Sequence, residues 1–496
     1  MKPLPTCGAL VALVVILAGS TALAAPVTEL ETDVCVVGAG SGGYSAAIAT
    51  ARAGAECVLV ERLDQIGGTS TAGYVCNWEP GCAGPLAREI YDRLAKLPDA
   101  VAIVRDYNAD RRQGPFGLWL PDPEGTYDQT LDRSSNPRPN WRAICFEPAA
   151  LNQVVCAMLA ATGKCRTLLR ATFVEVETDG PRLVAIRAKG EDGTSYRIRA
   201  RVFIDATGGA HVCRAAGYET MLGPESKARF GEEFAPDEPG TTLNAISLCY
   251  RIRPGDQPVR QTPPDPPVKR WPRSAHVSGL PCGDRILNPL ATVPGRALID
   301  HGYDACKAQC KRLVEAQWRQ FQEYPAFARF EFHSFAPMLG IRESYRVVGE
   351  YVLTQHDLVA GLEGQPHPDL IAVADHSMDV HGSGSRRVHG ELKAPYGVPY
   401  RCLVPKGSVN LLVACRGASF SHIAASSCRL SRTILQLGRA AGTAAALSAR
   451  DDLPVAQIDV SALQRQLGLS HLARPSSGSG EVDVGGGGAR FEECAD

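Results

Sequence analysis

Residues 33–61 pass through an apolar strand, a glycine turn, an alanine-rich helix, a glycine and a second apolar strand, which is the order of one βαβ unit. From there to about residue 140 the chain is charged and polar, with Pro and Gly, and holds no steady period. PAALNQVVCAMLAATG, at 148–163, repeats apolar residues at helical spacing and stops at a glycine. ATFVEVETDGPRLVAIRAKG and SYRIRARVFIDATGG then read as strands, with Asp179-Gly180 and Asp192-Gly193 as turn signals. The last of them, ARVFIDATGG, predicts a buried strand ending in a glycine turn. Residues 253–283 are rich in proline and predict an extended surface excursion, followed by a long helix over about 294–324. GVPYRCLVPKGSVNLLVACRGASF gives a strand and turn, and SSCRLSRTILQLGRAAGTAAALSA a helix whose small residues permit close backbone approach. From about 474 the SSGSG and GGGG tracts predict disorder, and the chain shows no internal repeat.

The N-terminus changes this picture. Lys2, an apolar run over about 9–18 and the triplet Ala22-Leu23-Ala24 have the form of a secretory signal with an A-x-A cleavage site. The run is short for a bilayer span, so residues 1–24 are expected to be cleaved and the mature protein to be secreted or periplasmic. No twin-arginine pair is present, so export is expected to be unfolded, with any cofactor acquired afterwards. No later segment offers a membrane span. The 496-residue length suits two or three domains. Net charge is −1 and the Lys and Arg residues are scattered, which argues against a nucleic-acid or polyanion partner and directs attention to a pocket.

Gly38, Gly40 and Gly43 form G-x-G-x-x-G between the first strand and the helix, and Glu61 ends the second strand 23 residues beyond Gly38. Gly38 makes the tight turn, Gly40 lets a pyrophosphate approach the backbone, and Gly43 with Ala47 lets helix and strand pack closely. The helix N-terminus supplies amides and a favourable dipole. Glu61 is expected to accept hydrogen bonds from both ribose hydroxyls of an adenosine half and to disfavour a 2′-phosphate.

Gly67-Gly68-Thr69 follows directly, and at this point the sequence resembles the FAD-dependent oxidoreductases of the glutathione-reductase-like flavoprotein superfamily. The resemblance continues in Asp205-Ala206-Thr207-Gly208, similar to that group's second nucleotide-contacting turn. It continues again in NLLVACRGASFSHIAASSCRLSRTILQLGRAAGTAAAL, similar to the segment that closes over the flavin ring. APMLGIRESYRVVGEYVLTQHDL, at 336–358, is similar to a stretch found in a family of FAD-dependent oxidoreductases, with Tyr345 a small departure. The implied fold is α/β: a Rossmann-like FAD-binding domain with a parallel sheet (31–220 with insertions, and 396–450). An inserted α+β substrate domain with a mostly antiparallel sheet covers 221–395, and a C-terminal extension follows from 451. The implied FAD contacts are Gly38, Gly40, Ser41, Gly42, Gly43, Glu61, Arg62, Gly67, Gly68, Thr69, Ser70, Asp205, Ala206, Thr207, Gly208, Arg416, Gly417 and Ile423.

A flavin needs positioning, exclusion of water and tuning of charge near its ring. The resemblance puts His422 beside the ring, where it is a candidate for proton exchange with substrate. Arg342 and Arg346, read as i, i+4 on one helix face, are candidates to clamp a carboxylate, an anionic reduced flavin or a phosphate; the alternative is an Arg-Glu network between domains. His376 and His381 are expected on opposite faces of a strand, and no metal site is expected. Of the seventeen cysteines, Cys7 lies in the signal; several others sit in apolar strands and read as buried small hydrophobes. Flavin disulfide reductases of this superfamily place cysteines where this chain has Ser70 and Val75. Cys76 and Cys82 miss that register and become candidates for a structural bridge. The leading expectation is therefore an exported FAD-dependent oxidoreductase that moves hydride between the flavin and a small organic substrate, with an unknown electron acceptor. A flavin-linked thiol or disulfide oxidoreductase and a non-catalytic flavin-binding module are the alternatives.

Overall fold

The computed structural model describes residues 27–131, 133, 141–381 and 389–472. The expected signal peptide (1–24) and the tail from 474 lie outside these residues. The βαβ unit forms as read: strand Val27–Val37, helix Ser41–Arg52 and strand Cys57–Val60, with Val34 beside Cys57 in parallel register. Five parallel strands make the centre of a seven-stranded sheet, in the order Cys165–Leu168, Cys57–Val60, Val27–Val37, Ser195–Asp205 and Leu411–Val413. Their Val, Ile and Leu runs are buried on both faces, as parallel strands covered by helices require. Antiparallel strands Arg182–Gly190 and Ala171–Asp179 extend the sheet through the turns predicted at Gly180 and Gly193, both at positive φ.

Helix Ser41–Arg52 lies against helix Ser431–Asp451, and small residues set the distance between them. A Cβ at Gly438 would stand 2.2 Å from the Gly42 carbonyl oxygen, and one at Gly442 2.1 Å from that of Ala46. Ser45 Oγ donates to the Leu435 carbonyl at 2.6 Å and Thr50 Oγ1 to that of Gly442 at 3.1 Å, each worth about 1 kcal/mol.

A second sheet of eight strands runs in the order Phe330–Phe335, Tyr250–Pro254, Arg285–Asn288, Ala275–Gly279, Phe116–Pro121, Val101–Asp106, Arg142–Phe146 and Asn77–Trp78. Every neighbouring pair is antiparallel except Ala275–Gly279 with Phe116–Pro121. Four of its strands come from 77–146, the stretch without a readable period. The proline-rich excursion ends earlier than expected: Ala275–Gly279 is an interior strand, four of its five residues buried. The helix expected over 294–324 breaks at Gly302, φ +81°, into Ala297–His301 and Tyr303–Phe321. Its Phe321 joins Phe116 and Phe327 in an aromatic cluster with centroids 4.8–5.8 Å apart, which anchors it to the sheet. The extension past 451 is packed as far as it is described: helix Val460–Leu467 buries Leu463 and Leu467.

Candidate active site

The two sheets share one cavity, with about 1120 Å³ of space in part open to solvent. Thr69, Arg416, Arg429, Ser431 and Arg432 reach it from the dinucleotide side; Asn77, Glu79, Ser247, Asn288 and Arg342 reach it from the second sheet and its loops. Asp375, His376, Asp379 and His381 line it from a third direction.

The first glycine turn is built by sterics. Gly38 has φ +95°, and a Cβ there would sit 2.6 Å from the Ala206 carbonyl oxygen. A Cβ at Gly43 would sit 1.7 Å from the Gly38 carbonyl oxygen. At Gly40, by contrast, a Cβ would meet nothing within 4 Å. The fold therefore requires the first and third glycines, while the second faces open space. Gly40 pairs with Gly67, joining the two glycine loops. Glu61 is buried, and its two oxygens accept from the Ala39 amide at 2.7 Å and the Leu63 amide at 2.9 Å, which holds the carboxylate beside the turn.

Several expected cofactor contacts have other work in the structure. The Asp205 carboxylate accepts from the Thr207 amide and hydroxyl and from the amides of Val212 and Cys213, so it braces its own turn. Ser70 is buried, its hydroxyl 3.2 Å from that of Ser431, and Ile423 is buried. Arg62 stacks over the Tyr303 ring at 5.6 Å. Arg416 stands against the second glycine turn. Its Nη1 lies 2.6 Å from where a Gly208 Cβ would stand, its Nε is sealed from solvent without a partner, and no carboxylate lies within 4 Å among the described residues. Loss of hydration lowers its pKa, which marks a cation lacking its counter-charge.

The candidate catalytic residues are placed differently from the sequence reading. Arg342 and Arg346 share no helix face, because the chain there is two short strands, Gly340–Ile341 and Arg346–Val347, with a loop between. Arg346 is 1 % exposed and bonded to Glu225, at 2.5 Å, and to Glu343; Glu343 also meets His422 Nδ1 at 2.8 Å. This is the Arg-Glu network that was the alternative to a clamp. Burial alone would raise the Glu343 carboxyl, but the charges of His422 and Arg346 outweigh it and hold it at about 2. His422 is buried at the first turn of helix His422–Cys428 and is not among the residues lining the cavity. Arg342 does line it, donating through Nη1 to the Ala245 carbonyl and to Ser247 Oγ, each at 2.8 Å.

His376 and His381 do not sit on opposite faces of one strand, since only Met378–Asp379 between them is strand. Both line the cavity. His376 has both nitrogens occupied, Nδ1 by the Ser377 carbonyl at 2.7 Å and Nε2 by Glu79 at 3.3 Å. His381 meets Asp379 through Nε2 at 2.6 Å, and its Nδ1 has no hydrogen bond among the described residues. Burial would raise the Asp379 carboxyl, but the bond to His381 and the charge of Arg429 hold it below the usual range. Desolvation, helped by Arg342, lowers the His381 pKa. His381 is thus a neutral base with its proton on Nε2 and a free lone pair on Nδ1.

Cys76 and Cys82 are free thiols; Cys76 lies beside Cys145 instead, across the pairing of Asn77–Trp78 with Arg142–Phe146. Sequence reasoning missed Glu79, Asp379, Arg429 and Arg432 as site residues. One signal was present: Arg432 stands in the first turn of a 21-residue helix, where the helix dipole disfavours a cation. Among the described residues no group of His, Cys, Asp and Glu forms a metal site, and no helix is long and apolar enough to cross a membrane.

A parallel sheet opening with G-x-G-x-x-G, a free space at Gly40, a carboxylate fixed at Glu61 and an uncompensated arginine at the second glycine turn define a dinucleotide-binding oxidoreductase whose residues fit FAD. The chain belongs to the FAD dependent oxidoreductase family, whose model matches residues 33–467, and it is an FAD enzyme. Digeranylgeranylglycerophospholipid reductase 1 of Methanothermobacter thermautotrophicus is 28% identical over 207 residues. That match covers 40% of this chain and 46% of the relative, so it spans under half of the relative's length. Among solved structures, a geranylgeranyl bacteriochlorophyll reductase-like protein of Thermoplasma acidophilum is 12% identical with a TM-score of 0.44, covering 89% of this chain and 92% of that one. The flavin-dependent brominase Bmp2 is 12% identical with a TM-score of 0.44, covering 88% and 83%.

Proposed function

We propose that the protein is an exported FAD-dependent oxidoreductase of the glutathione-reductase-like group that transfers hydride between the flavin and a small organic substrate held in the shared cavity. The observation that carries this reading is His381: a histidine with one nitrogen fixed by a carboxylate and the other free, in a cavity walled on one side by the dinucleotide loops. FAD, when bound, supplies the ring that takes or gives the hydride. His381 Nδ1 takes the substrate proton in the oxidative direction, and Asp379 stabilises the imidazolium that results. Arg342 orients the substrate, and Arg416 stands at the dinucleotide turn.

Cys82 and Cys249 also line the cavity, but burial pushes each thiol up to about 12. Protonated thiols are poor nucleophiles, which favours hydride transfer over thiol or disulfide exchange. Export rests on the apolar run over 9–18 and the A-x-A triplet. The test is anaerobic mixing of the FAD-loaded protein with panels of small alcohols, hydroxy acids and amino acids, and of the reduced protein with their oxidised counterparts. Bleaching or recovery of the flavin colour by a member of either panel is expected. A flavin that exchanges electrons only with dithiols and disulfides would contradict the proposal.

A further inference from the structure

The cavity carries information on substrate class, an inference that rests on the hydride-transfer reading. Its described lining holds four arginines, Arg342, Arg416, Arg429 and Arg432, against three carboxylates, Glu79, Asp375 and Asp379, and each carboxylate already has partners. Glu79 has His376 at 3.3 Å and Arg133 at 3.7 Å; Asp379 has His381 at 2.6 Å and Arg429 at 3.2 Å. Asp375 accepts from the Cys82 amide at 3.1 Å. Arg432 gives Nη1 to the carbonyls of Gly81 and Thr130 and Nη2 to Thr130 Oγ1. Arg416 stands at the dinucleotide turn.

Arg342 is left, and its geometry is particular. Both acceptors on Nη1 are neutral, and no carboxylate lies within 4 Å among the described residues. Nε and Nη2 make no hydrogen bond there, yet neither is sealed off, so this edge of the guanidinium opens on the cavity. Nε and Nη2 together are a fork whose two parallel N–H groups match the two oxygens of a carboxylate. Asp379 and Glu79 act on this partly desolvated cation only from beyond contact, and such a cation is costly until a ligand supplies a carboxylate in contact. Ala245 and Ser247, by fixing Nη1, also fix the plane of that fork.

We propose that the substrate is a small organic acid whose carboxylate is gripped by the Nε and Nη2 edge of Arg342. The ligand's negative charge completes the cavity, and its planar geometry selects it over neutral molecules of the same shape.

The experiment is a titration of the FAD-loaded protein, followed by the flavin's visible spectrum, with acetate, glycolate and benzoate. Glycolamide and benzamide serve as neutral twins, and inorganic phosphate as a tetrahedral anion. Saturable spectral shifts are expected with the acids, with the amides at least roughly 10-fold weaker. Arg342→Gln should weaken acid binding roughly 10- to 100-fold while retaining FAD, and Arg342→Lys, which keeps the charge and loses the fork, should fall between. Equal binding of acids and amides, unchanged affinity in Arg342→Gln, or tighter binding of phosphate than of every acid would overturn the proposal. If Arg342→Gln does not fold, the wild-type comparison of acids with amides and the Arg342→Lys variant decide the matter. Binding is read without turnover, so the two readings separate. Acids that bind but never exchange electrons with the flavin overturn hydride transfer alone. A neutral substrate turned over equally by wild type and Arg342→Gln overturns the carboxylate proposal alone.

Discussion

At Gly40 a side chain has room and at Gly42 it has none, and this contrast separates ligand binding from folding. A Cβ at Gly42 would lie 1.7 Å from the Ala414 carbonyl oxygen. Gly40→Val is expected to fold with stability within about 1 kcal/mol of wild type, by thermal melting of the FAD-free protein, and to lose FAD on gel filtration. Gly42→Val should fail to fold. His381 is the residue on which proton transfer depends. Its pKa is lowered by desolvation, against the pull of Asp379 and with the help of Arg342, so the neutral base persists below the ordinary histidine value of about 6.5. Protonation of Nδ1 removes the base, so kcat/KM for oxidation should fall only on the acidic side of that value and stay flat through neutrality. His381→Ala should lower kcat by about 10²- to 10⁴-fold with FAD retained. A profile governed instead by a group above neutrality would speak against His381.

Among the elements, the crossing of helices Ser41–Arg52 and Ser431–Asp451 fixes the dinucleotide turn, because Gly40 caps the first helix and the second borders the cavity. Gly442→Ala should cost about 1–3 kcal/mol in urea unfolding, through the clash with the Ala46 carbonyl. An unchanged midpoint would mean the helices can separate without strain. The βαβ unit was legible because its order is local: strand, glycine turn, helix and strand lie within 33–61, and each residue type has one steric reason for its place. Strands 171–190 were legible through their Asp-Gly turns. The second sheet was not, because its one edge strand, Asn77–Trp78, is two residues long and its other edge strand comes from as far away as 330–335. The candidate site failed for the same reason. Nothing in the spacing of Glu79 and His376 announces that they meet, and the loop at 342–346 carries helix-like spacing without being a helix, so Arg346 looked like a partner of Arg342 when it belongs to Glu225 and Glu343.

For the whole molecule, the buried network of Arg346, Glu225, Glu343 and His422 ties together three segments, at 225, 343–346 and 422, the outer two 197 residues apart in sequence. The Glu343 carboxyl is held at about 2 in the folded state, below its ordinary value of 4.5. A depressed carboxyl contributes stability that is present above its unfolded value and lost as pH falls through the folded one. Its contribution should therefore disappear between about pH 4.5 and 2. Glu343→Gln should flatten stability in that window and, by leaving Arg346 and His422 short of a counter-charge, cost about 3–5 kcal/mol at neutral pH. Equilibrium unfolding across pH reads both effects.

In the proposed enzyme the dinucleotide loops and the second sheet form one site, with the flavin ring at their common cavity. A crystal structure of the protein with FAD tests this most directly. The pyrophosphate is expected against Gly40, the ring at the wall made by Thr69 and Ser431, and the Nδ1 of His381 and the open edge of Arg342 facing the space above it. FAD bound with its ring outside this cavity, or with His381 and Arg342 turned away from it, would rule out this arrangement.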